Sequence, residues 1–166
     1  MENKTENLSI KIYGEPILRK KASEVKEIKE DGLRIIETMI DVMFANEGIG
    51  LAAPQIGIGK QIIVVRNDED IIKLINPVIL KKEGEEEAKE GCLSLPDIYV
   101  DVKRAEYISV EGRNEKWEPV IIEAEGLTAR ILQHEIDHLN GVLIIDYTSP
   151  VSEVLVKQQL KKLRRL

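Results

Sequence analysis

At 166 residues, 43% hydrophobic and 33% charged, the chain can bury one sizeable core, and a single domain over 1–166 is expected. It holds no apolar run near 18 residues, its first residues (MENKTENLSIKIYGEP) lack the plan of a secretory leader, and its one cysteine cannot form an internal disulfide; a cytoplasmic protein with no membrane contact is expected. The net charge of −6 argues against general nucleic-acid binding, yet residues 151–166 carry Lys157, Lys161, Lys162, Arg164 and Arg165 against Glu153, a balance of +4 that leaves −10 on the rest.

Along the chain, Leu33, Ile36, Ile40 and Met43 recur at three- and four-residue steps and predict an amphipathic helix over 31–44. Gly48, Gly50, Pro54, Gly57 and Gly59 then break any regular helix. The runs QIIVVR (61–66) and IIKLINPVIL (71–80) flank NDED and read as a hairpin. KKEGEEEAKEG (81–91) reads as a solvated loop or edge. IYVDV, YISVEG and WEPVIIEAE read as further strands, the last two joined by RNEK. A helix is predicted from an N-cap at Thr128 to a C-cap at Asn140–Gly141, followed by a short strand, VLIIDY. A final helix after Pro150 is predicted, with Val151, Val154, Leu155, Leu160 and Leu163 as its apolar residues. The order implies an α+β fold of antiparallel strands around a central helix, with an N-terminal and a C-terminal helix. GIGIGK lacks the spacing of a phosphate-cradling loop.

Both histidines of the chain lie in ILQHEIDHLNGVL. On a helix, His134 and His138 share a face one turn apart, and Glu135 between them completes H-E-x-x-H. Leu127 and Ile131 continue the stripe upward and predict a buried face, in which two imidazoles would need partners. A metal ion meets that need. A catalytic metal takes three protein ligands and keeps an open position. Downstream, only Asp146 and Glu153 stand as candidates; upstream, EGCLSLP (90–96) carries Cys92 in a Gly-flanked stretch. Cys92, His134 and His138 are the ligand set this reading favours. Glu135 follows the first histidine and can move protons without binding metal.

The chain resembles the peptide deformylases, which remove the N-formyl group from the initiating methionine of new proteins. GIGLAAPQ (48–55), EGCLS (90–94) and HEIDH (134–138) match the family's three motifs in order, and YGEPILRKKASEV and NGVLIIDYTSP extend the likeness over nearly the whole chain. The resemblance implies a metallohydrolase that releases formate, with the Gln55 amide and the Leu93 backbone N–H stabilising the oxyanion. It implies that Ile49, Leu127 and Ile131 line the methionine pocket, and that Gly50, Glu90 and Gly91 help hold an extended peptide. Where some members carry an arginine after the LSxP proline, this chain has Tyr99, and that contact is not carried over. Ferrous iron is the implied cofactor, one per chain, replaceable by zinc, nickel or cobalt. The implied partners are N-formylmethionyl nascent peptides and the ribosome near its tunnel exit, reached by the basic C-terminal helix of a monomer. Two other readings stay open: a zinc peptidase with its third ligand downstream, and a non-catalytic metal module.

Overall fold

The computed structural model describes residues 8–163, so Arg164 and Arg165 lie outside the described residues. Helix α1 spans Glu30–Ala45. Its buried row is Ile36, Met39 and Met43; Leu33, expected in the stripe, is exposed. Strand β1 (Gly50–Ala52) and a 3-10 turn (Ala53–Ile56) occupy the glycine-rich stretch, where the sequence predicted only a break. The strands β2 (Ile62–Asn67), β3 (Asp70–Glu83), β4 (Glu86–Cys92), β5 (Leu95–Arg104), β6 (Tyr107–Arg113) and β7 (Pro119–Glu125) follow, then helix α2 (Gly126–Leu139), a 3-10 turn (Ile144–Tyr147) and helix α3 (Pro150–Leu163).

Five strands form one antiparallel sheet in the order β1-β2-β3-β6-β7, and β4 and β5 form a separate hairpin inserted between β3 and β6. The run IIVV in β2 explains how the sheet is used. Ile62 and Val64 join Ile36, Met39 and Met43 on the α1 face, while Ile63 and Val65 join Leu132, Ile136 and Leu139 on the α2 face. A strand covered on both sides needs no polar alternation, because each successive side chain enters a different core. A third cluster joins Leu95, Ile98, Val100 and Val102 of β5 to Leu143, Ile144 and Val156, which fastens the C-terminal segment to the hairpin.

The charged stretch 81–91, expected as a solvated loop or edge, is an edge, and three other expectations need correction. Lys81–Glu83 end β3, Gly84 (φ 69°) makes the turn, and β4 begins at Glu86, so the backbone pairs while most side chains meet solvent. Thr128 does not cap α2: the cap position is Glu125, and the Thr128 hydroxyl donates to Asn67 Oδ1 at 3.1 Å. VLIIDY turns instead of extending, because Asp146 Oδ2 accepts the Leu143 N–H at 2.9 Å while Arg19 holds the same carboxylate at 2.7 Å. On α3 the buried residue is Val156, with Leu160 and Leu163 partly buried; Val151, Val154 and Leu155 are exposed. The end of α2 is as expected, with Asn140 at the C-cap and Gly141 left-handed at φ 71°.

Candidate metal centre

Three parts of the chain meet at one point. Strand β4 delivers Cys92 as its last residue before the Leu93–Ser94 turn into β5, and α2 delivers His134 and His138. The two imidazoles stand edge to face with centroids 5.1 Å apart, and Cys92 Sγ lies 3.4 Å from His138 Nε2. One donor atom from each of these three residues falls within 4.8 Å of the others. Ligands 2.0–2.3 Å from one tetrahedral ion stand roughly 3.3–3.8 Å apart, so the donor set fits a single divalent cation. The downstream alternatives are committed elsewhere: Asp146 to Arg19, and Glu153 to Lys157 at 3.0 Å.

The surroundings suit a cation. Burial pushes the His134 imidazolium down, but Cys92, Glu90 and the charge of Glu135 outweigh it and raise His134 well above its ordinary value. That is a measure of the negative field around it. Burial, helped by the positive charges of His134 and Arg104, drives His138 well below its ordinary value and keeps its imidazole neutral. Burial also lifts Glu135 to about 7 against the opposing pull of His134 and Arg104. Its Oε2 is a buried oxygen without a hydrogen-bond partner among the described residues, beside the centre it would serve. Gln55 is buried; its Oε1 accepts the Ala52 N–H at 2.9 Å, which turns Nε2 toward Ser94 Oγ (3.2 Å) and Cys92 Sγ (3.7 Å).

The comparisons with known proteins converge on this geometry. Residues 7–154 match the polypeptide deformylase family. A peptide deformylase of Carboxydothermus hydrogenoformans is 50% identical over 133 residues, 80% of this chain and 88% of that protein. The crystal structure of a Legionella pneumophila peptide deformylase superposes with a TM-score of 0.89 at 39% identity, covering 95% of both chains. One from Synechococcus elongatus, in complex with actinonin, gives 0.87 at 40% identity over 93% of this chain and 85% of that one.

The chain belongs to the polypeptide deformylase family. It is a metal-dependent hydrolase that removes the formyl group from the N-terminal formylmethionine of newly synthesised proteins and releases formate.

A cleft of about 670 Å³ opens over Cys92, His134 and Glu135. Ile49, Gly50, Gln55, Glu90, Gly91, Leu93, Leu127, Ile131 and Glu135 line it together with Cys92 and His134. The two glycines of GIG make room for the other motifs. A Cβ on Gly50 would stand 2.6 Å from Ile131 Cγ2 and 2.7 Å from Glu135 Oε1, and one on Gly48 would stand 2.9 Å from Leu93 Cδ1. Two expectations change. Leu127 is 63% exposed, not buried, so the stripe above His134 opens into the cleft; Ile131 is buried at 6%. The Glu90 side chain is unavailable to a peptide. Its oxygens take Arg104 Nε and Nη2 (both 2.9 Å), Arg130 Nη1 (2.7 Å) and His134 Nδ1 (2.9 Å), leaving only its backbone for substrate. Burial alone would raise Glu90, yet the bonds from His134 and Arg104 bring it down to about 2.

The sequence reading missed Arg104, Arg130, Asp137, Tyr147 and Ser94. Arg130 could have been noticed, since it precedes His134 and His138 on the same i, i+4 row. A cation one turn from two buried histidines asks for an anion beside it, and Glu90 is that anion.

Proposed function

We propose that Cys92, His134 and His138 are the metal ligands, Glu135 the proton carrier, and the Gln55 amide with the Leu93 N–H the oxyanion donors. The convergence of three donor atoms from two distant motifs, beside a buried carboxylate with a free oxygen, carries this reading. Held by Cys92, His134 and His138, a divalent cation would supply Lewis-acid activation of water and of the formyl carbonyl. Glu135 accepts the proton of the attacking water and passes it to the departing amine; a carboxyl near 7 suits both directions of transfer at neutral pH. Gln55 Nε2 and the Leu93 N–H meet the negative oxygen that forms on the substrate carbon. Ile49, Leu127 and Ile131 receive the methionine side chain, and the peptide lies extended along Gly50 and the backbone of Glu90 and Gly91.

Ferrous iron is the ion we assign, with zinc, nickel or cobalt able to replace it, on the thiolate–imidazole donor set and the family likeness. We assign the chain to the cytoplasm, as a monomer acting as one domain. Among the described residues no helix is long and apolar enough to cross a membrane. Docking on the ribosome near the tunnel exit is assigned to α3, whose exposed face carries Lys157, Lys161 and Lys162. Replacing Glu135 with Gln tests the central role. Hydrolysis of formyl-Met-Ala-Ser should fall by roughly 10²–10⁴-fold with metal content unchanged; loss of the metal instead would contradict the assignment.

A further inference from the structure

A chain of side chains runs from the surface to His134. The Tyr147 hydroxyl donates to Asp137 Oδ2 at 2.6 Å, and the same oxygen accepts Arg104 Nη1 at 2.5 Å. Arg104 grips both oxygens of Glu90, and Glu90 Oε1 accepts the Nδ1–H of His134. Arg104 also lies over the Tyr147 ring, with Cζ 4.9 Å from the centroid. Exposure falls along the line, from 39% at Tyr147 to 23% for the Asp137 side chain and 4% for that of Arg104. Arg104 and Arg130 balance Glu90 and Asp137, so the group is neutral and its geometry depends on every bond being kept.

Asp137, its side chain 23% exposed, is the partly open joint of this line. The phenol covers the oxygen that holds the outer end of Arg104, and its own partners are Asp137 and Arg104. We propose that Tyr147 is a positioning residue for the metal centre: by holding Asp137 on Arg104 it fixes Glu90, and through Glu90 the tautomer and ring plane in which His134 offers its Nε2. The inference rests on His134 being a metal ligand. Outer partners of ligating histidines typically change metal affinity by 10–100-fold, and Tyr147 acts from further out, so an effect of about fivefold is expected.

The test uses the zinc-loaded full chain as wild type, Tyr147→Phe, Asp137→Asn and the double variant. Two quantities are read: the rate of zinc transfer to a chromogenic chelator, and the NMR resonance of the His134 Nδ1–H. Tyr147→Phe should release zinc about fivefold faster and shift the resonance, and it should add nothing to Asp137→Asn. An unchanged release rate and resonance in Tyr147→Phe, even with a lowered Tm, overturns the proposal, and so does additivity with Asp137→Asn. Failure of the wild type itself to hold zinc would instead overturn the ligand assignment.

Discussion

Gln55 shows how one side chain is aimed. Its carbonyl oxygen is used locally by the Ala52 N–H, so the amide cannot flip without losing that bond, and its NH2 must face Cys92 and Ser94. Replacing it with Leu keeps the volume and removes the donor. The loss of one oxyanion donor should lower kcat by roughly 10²–10³-fold while metal stoichiometry stays the same; steady-state kinetics with metal analysis checks this, and a near-normal kcat would refute the role. Such residues were legible because their signal is local: H-E-x-x-H, EGCLS and GIGLAAPQ each state their spacing within eight residues. Glu90 was legible as part of a motif but not in its role, since Arg104 comes from β5 and Arg130 from α2. A weaker signal was present. The buried parity of Ile98, Val100 and Val102 continues to Arg104, and an inward arginine on a strand demands a buried anion.

Helix α3 shows where periodicity alone falls short. Its apolar residues fill more than one row, and only Val156, Leu160 and Leu163 meet the β5 cluster. Choosing between rows needs the partner surface, which lies some sixty residues away in sequence. The same fact shapes the test of docking. Deleting 151–166 would take Val156, Leu160 and Leu163 out of the cluster built on β5, so lost binding would also report a damaged core. Changing Lys157, Lys161 and Lys162 together to Gln alters only exposed positions. That variant should bind ribosomes more weakly with a shallower dependence on salt, while hydrolysing short formyl peptides at the wild-type rate. Undiminished binding in a salt titration would remove α3 from the interface.

Across the molecule, two faces of one sheet and an inserted hairpin bring residues 48–55, 90–94 and 134–138 to one place, which no local pattern states. The hairpin is fastened to α2 through Glu90, Arg104 and Arg130, so assembly of the centre and acid stability are linked. Folding lowers the Glu90 carboxyl from 4.5 to about 2, so between those values the unfolded chain binds more protons than the folded one. Its contribution, on the order of 3 kcal/mol, is therefore complete above about pH 4.5 and is lost as pH falls toward 2. Denaturant unfolding of metal-free protein should show this loss in the wild type, whereas Glu90→Gln should be weaker at neutral pH and lose less stability across the same window; parallel curves would contradict it. In the site we propose, a sulfur from the hairpin and two imidazoles from α2 hold the ion that hydrolysis needs. Metal analysis of anaerobically purified wild type and Cys92→Ala, with formyl-Met-Ala-Ser hydrolysis on the same samples, tests it most directly. The wild type should carry about one divalent metal per chain and be active, and the variant should carry almost none and be inactive; a variant with full metal and full activity would contradict the account.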